Sequence, residues 1–140
     1  MMRLGARSVV VAGAVLAAIG LTAGSAAADN GYADITPQGY ANFIGNGDKL
    51  SACDNSGTDG VKVRASVQKW NDSLNVWQAV KAVDAPLGGG CDNTTADVEP
   101  DSALVRVHIW TERSSTGANL EHDYSRSFHA DNGTTWHYDD

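Results

Sequence analysis

Val61-Lys62-Val63-Arg64-Ala65-Ser66-Val67-Gln68 decides the fold class. Apolar and polar residues alternate without a break. Successive side chains of an extended strand point to opposite faces, so this run has one apolar and one polar face. Asn71-Asp72-Ser73 follows as a turn, and residues 76–83 read as the returning strand of a hairpin. A second alternating run spans residues 103–111. Val105, Val107 and Ile109 share one face, and Arg106, His108 and Trp110 the other. Residues 114–119 form the next turn, and residues 120–129 the strand that returns from it.

A shorter pair, residues 40–44 and 50–53, flanks Gly45-Asn46-Gly47-Asp48. Residues 136–138 supply a last edge strand. Residues 84–102 hold two of the three prolines and Gly88-Gly89-Gly90, which reads as an irregular connection with room for one helical turn after Asp92. Helical periodicity is nearly absent beyond residue 28. The expectation is an all-β fold: a small two-sheet antiparallel β-sandwich of six to seven strands with one disulfide. A small barrel is the alternative.

The disulfide follows from the N-terminus. Arg3 and Arg7 precede an apolar run over residues 9–21, and Ala26-Ala27-Ala28 supplies the small residues a signal peptidase accepts. Residues 1–28 therefore read as a signal peptide, residues 29–39 as an extended arm and residues 40–140 as the β-sandwich domain. Export places the chain outside the cell, where thiols oxidise. Cys53 and Cys91 are the two cysteines, so they pair with each other.

Ten Lys and Arg against seventeen Asp and Glu give a formal net charge of −7, and removal of Arg3 and Arg7 makes it more negative. Such a surface repels nucleic acid and anionic membranes. No cofactor is called for. Asp54-Asn55-Ser56-Gly57-Thr58-Asp59-Gly60 superficially resembles a calcium loop but lacks its alternating ligands and closing Glu, so it reads as a polar turn. The four histidines show no zinc spacing, G-x-S-x-G is missing, and disulfide-bonded cysteines cannot act as nucleophiles. Glu112, Glu121 and Asp123 could approach one another across a hairpin, but read as solvated surface.

The candidate sites are binding sites. Arg106, His108 and Trp110 on the polar face, with Arg64 and Trp70 from the neighbouring hairpin, form an Arg and Trp cluster of the kind that dominates protein contacts. Core placement of Trp110 through a bulge is the competing reading. Trp77 is expected inside. In the arm, Tyr32 and Ile35 are candidate anchors for a partner groove.

The signal ending in Ala26-Ala27-Ala28, the arm and the compact disulfide-bearing β-domain together resemble the small secreted adaptor proteins of umbrella toxin particles from filamentous actinobacteria. That resemblance implies a non-catalytic protein joining a lectin-like subunit to a large toxin subunit, with other secreted proteins as partners. An inhibitor of an extracellular hydrolase, presenting residues 84–92, and a small cell-wall-active enzyme are the alternatives.

Overall fold

The computed structural model describes residues 31–130 of the chain. The signal peptide expected at residues 1–28, Asp29, Asn30 and the strand expected at residues 136–138 lie outside them. Within them the chain forms nine strands in two antiparallel sheets. The first sheet contains β1 (Gly31–Ile35), β2 (Gly39–Ile44), β3 (Lys49–Asp54) and β6 (Gly90–Thr95), in the order β1-β2-β3-β6. The second has the order β5-β4-β7-β8, from β5 (Val76–Asp84), β4 (Val61–Asn71), β7 (Leu104–Arg113) and β8 (Asn119–Tyr124). The short β9 (Phe128–His129) also pairs with β7.

The two alternating runs become the centre of the second sheet. Val63, Ala65 and Val67 of β4 and Val105, Val107 and Ile109 of β7 are all buried. Across the sandwich they face Ala33, Ile35, Ala41, Phe43, Leu50 and Ala52 of the first sheet. Phe43 and Phe128 meet with ring centroids 5.7 Å apart and join the two layers. Burying each such ring is worth about 1.5–3 kcal/mol.

Two expectations are corrected here. Residues 31–35 are not a free arm but the edge strand β1, paired with β2 from Gly31↔Phe43 to Ile35↔Gly39. Strand parity sends Tyr32 and Ile35 to opposite faces, because they are an odd number of residues apart. Ile35 is core at 7% exposure and Tyr32 stays outside at 54%. The inward positions Gly31 and Ala33 are too small to read as an apolar stripe, yet they suit a crowded site. A β-carbon at Gly31 would fall on the Phe128 ring and on Val107.

The connection at residues 84–102 is likewise not irregular throughout. It contains β6, which pairs with β3 along its whole length. Gly90-Cys91-Asp92-Asn93-Thr94-Thr95 has no apolar alternation and is almost fully exposed, so its strand character comes from its neighbour. Cys53 and Cys91 are directly opposed in that register and are bonded. The disulfide therefore fastens the edge strand β6 to the interior strand β3.

Candidate functional site

The outer face of the second sheet carries the cluster. On β4, Arg64, Ser66, Gln68 and Trp70 alternate with the buried residues. On β7, Arg106, His108, Trp110 and Glu112 do the same. Register pairs Arg64 with Trp110, Ser66 with His108 and Gln68 with Arg106. All five candidates expected on this face, Arg64, Trp70, Arg106, His108 and Trp110, are brought together there. Trp110 is half-buried and belongs to this outer face, not the core.

Trp77, expected inside, also lies on this face. Its register partner is Trp70, whereas Val83 further along the same strand pairs with the buried Ala65. Those two positions share sequence parity and would face the same way on a regular strand. A bulge reverses one of them: Val67 pairs with Lys81 and Gln68 with Ala79, leaving Val80 as the extra residue. Val80 and Val83 still pack on the core. β8 supplies the remaining members, since His122 sits opposite Trp110 and Tyr124 opposite His108.

The side chains form one continuous stack across four strands. Trp70 meets Trp77 edge-on at 5.3 Å. The Arg106 guanidinium lies over Trp77 at 4.5 Å and over Tyr124 at 4.1 Å. His108 is stacked on Tyr124 at 4.6 Å and on Trp110 at 4.7 Å, with interplanar angles of 12° and 20°. Arg64 closes the row over Trp110 at 5.2 Å. Contacts between cations and rings contribute roughly 0.5–2 kcal/mol each, depending on desolvation. The small residues Ser66 and Ala82 are neighbours at the middle of the face. Ser66 is only 2% exposed although it points outward, which shows how closely the long side chains cover the sheet.

The two arginines are treated differently. Arg64 donates from Nε to Asp84 at 2.6 Å and from Nη1 to Glu112 at 2.9 Å. Lys62 also reaches Asp84, and the Trp110 indole N–H donates to the same Glu112 oxygen at 2.9 Å. The bond to Asp84, against the cost of burial, raises the Arg64 pKa further. Burial opposes ionisation of Asp84, but Arg64 and Lys62 outweigh it and hold the carboxyl below its ordinary value. The Trp110 bond, followed by Arg64, does the same for Glu112. Arg106 donates from Nε to the Gln68 side-chain carbonyl at 2.9 Å and forms no ion pair among the described residues. Burial lowers its pKa, although an arginine remains charged at neutral pH.

His108 is lowered chiefly by burial, then by His122 and Arg106. Its Nε2 is buried with no hydrogen-bond partner among the described residues. Beside it an open depression of about 550 Å³ is lined by His108, Trp110, Glu112, Asn119, Leu120, Glu121 and His122. No Ser, Thr or Cys is among its lining residues.

Of the arm candidates, Tyr32 lies on the outer face of the opposite sheet, stacked on Tyr40 at 5.9 Å, and Ile35 is unavailable in the core. Asp54 in the calcium-like segment is buried, and its Oδ1 accepts the backbone N–H groups of Ser56 and Gly57. Among the described residues no three His, Cys, Asp or Glu side chains are placed to share a metal ion. Sequence reading missed Trp77, Glu112, His122 and Tyr124 as members of the face. His122 and Tyr124 have the right parity, but their register depends on a second irregularity between Thr111 and Glu112. Compared with protein families, curated proteins and solved structures, the chain matches none.

Proposed function

We propose that this protein is a non-catalytic, secreted protein-binding module whose contact centre is the outer face of the second sheet. The observation that carries the reading is the stack from Trp70 to Arg64. Tryptophan, tyrosine and arginine supply most of the energy at protein interfaces. Here they are already held in place by one another, so little side-chain entropy remains to be lost on binding. The stacking also argues against a saccharide platform. A sugar needs an open ring face, whereas the Trp110 ring is already stacked on His108 and has the Arg64 guanidinium over it.

Catalysis is the weaker reading on the same geometry. Glu112 is shifted down, opposite to the direction a general acid requires. The inhibitor reading rests on Leu87, which is 60% exposed and four residues from the anchored Cys91. That segment is closed into a turn by the Gly89 N–H donating to the Pro86 carbonyl, rather than extended for insertion into a cleft.

The adaptor role implied by the resemblance, linking a lectin-like and a large toxin subunit, needs two separable surfaces. The two outer faces of the sandwich meet that need: Trp110 and its neighbours on one, Tyr32 with Tyr40 on the other. The test uses the mature protein as bait in culture supernatant of its own source, alongside Trp110→Ala and Tyr32→Ala baits. Each variant is expected to lose a different captured protein. Equal capture by all three baits defeats the proposal.

A further inference from the structure

We infer that the Arg106 guanidinium, set over the rings of both Trp77 and Tyr124, is the receptor for a carboxylate of the binding partner, carried by an Asp or Glu side chain. This rests on the protein-binding reading of the same face and adds the chemistry of the group that docks there.

Two arginines on one sheet face differ in how they are satisfied. Arg64 is satisfied within the molecule by Asp84 and Glu112. Arg106 has comparable aromatic contacts but no carboxylate among the described residues, in a chain with seventeen acidic residues to draw on. Its guanidinium carbon lies over both rings, and a guanidinium stacked on an aromatic ring keeps its in-plane N–H donors uncovered. One of these, Nε, is taken by the neutral Gln68 side chain. Among the described residues the Nη1 and Nη2 edge has no bonded acceptor, and its fork geometry matches a carboxylate through two parallel hydrogen bonds. The two ring contacts and the Gln68 bond hold that fork in place before the partner arrives. The net charge of −7 opposes a polyanion such as nucleic acid, whose binding relies on many cations acting together. A single acidic side chain within a protein contact requires only the one cation.

The experiment follows the Arg106 Nε–H and Trp77 indole N–H signals of the oxidised, isotope-labelled protein by NMR at constant ionic strength. The probe is N-acetyl-glutamate methylamide, whose only carboxylate is on the side chain. Its controls are the glutamine equivalent and inorganic phosphate. A saturable shift with the glutamate compound, at least fivefold weaker with the glutamine compound, is expected. It should vanish in Arg106→Gln and weaken in Arg106→Lys, which keeps the charge without the planar fork. Arg64 signals should stay nearly still. Equal response to the glutamine compound, an unchanged response in Arg106→Gln, or an equal shift at Arg64 overturns the inference. Tenfold tighter binding of phosphate reassigns the ligand class and overturns it too. A response appearing only after Asp139 and Asp140 are replaced by Asn would make the chain's own acids the occupants, against a partner. If Arg106→Gln fails to fold, the Lys variant and the wild-type amide control decide. A silent titration while Trp110→Ala still abolishes partner capture defeats this inference alone. Intact capture by Trp110→Ala defeats the face reading itself.

Discussion

The two outer faces of the sandwich differ sharply although their inner faces are alike. Inside, both sheets present Ala, Val, Ile, Leu and Phe to a shared core. Outside, the second sheet is covered by a stack of three tryptophans, a tyrosine, a histidine and two arginines. The first sheet carries one tyrosine pair, Asn42, Ser51 and the Cys53–Cys91 bond beside the Tyr40 hydroxyl. Long rigid side chains on a solvent face do little for a core. On the proposed protein-binding reading, their mutual packing prepares a surface for another molecule. The first sheet instead spends its outer face on a covalent tie to a strand with almost no apolar content of its own.

The largest expected effect breaks that contrast from the inside. Deleting residues 29–38 removes β1 with Ala33 and Ile35, and should abolish the cooperative unfolding transition seen by circular dichroism. An unchanged thermal midpoint would return these residues to the status of a free arm. Next, Cys53→Ser should lower stability by about 2–5 kcal/mol in denaturant titrations. It should leave partner binding intact wherever the protein is folded, because the bond lies on the other sheet. Loss of binding in the folded variant would tie the two faces together.

Trp110→Ala should weaken partner binding by about 2 kcal/mol or more while the fold survives, measured by calorimetry beside a thermal melt. Unfolding instead would make the stack structural. Acidification gives a smaller signal. Burial lowers the folded-state pKa of His108 below the ordinary value of about 6.5. Between the lowered and the ordinary value the unfolded chain binds more protons, so stability rises with pH across that window and falls as pH drops below about 6.5. In His108→Gln that slope should flatten; an unchanged slope would assign it to another group. The carboxylates act lower on the scale: the contributions of Asp84 and Glu112 are present above their ordinary pKa values and are lost as pH falls through the depressed ones. Smallest is Asp84→Asn, expected to cost about 0.5–1 kcal/mol because its ion pairs are partly exposed and screened by solvent. A cost above that range would show that Asp84 holds Arg64 in the stack.

Much of this was legible in sequence wherever alternation was unbroken. The runs at residues 61–68 and 103–111 placed Val63, Ala65, Val67, Val105, Val107 and Ile109 inside, and Arg64, Arg106 and His108 outside, while Trp110 was open between that face and the core until the structure put it on the face. A period of two forces that division on any regular strand. The Cys53–Cys91 pairing followed from there being two cysteines. Tertiary structure alone decided the rest. Gly31 and Ala33 carry almost no hydrophobic signal, and β1 became a strand only because Phe128, Val107 and the paired β2 shaped a place for it. β6 has no pattern at all and takes its form from β3 and the disulfide. Trp77 reached the outer face through one extra residue at Val80, and Tyr124 reached His108 through a register set by a second bulge. A bulge depends on how two strands twist and pair, so its position is a property of the sheet. Alternation within either strand reports which residues share a face only up to the point where the sheet inserts it.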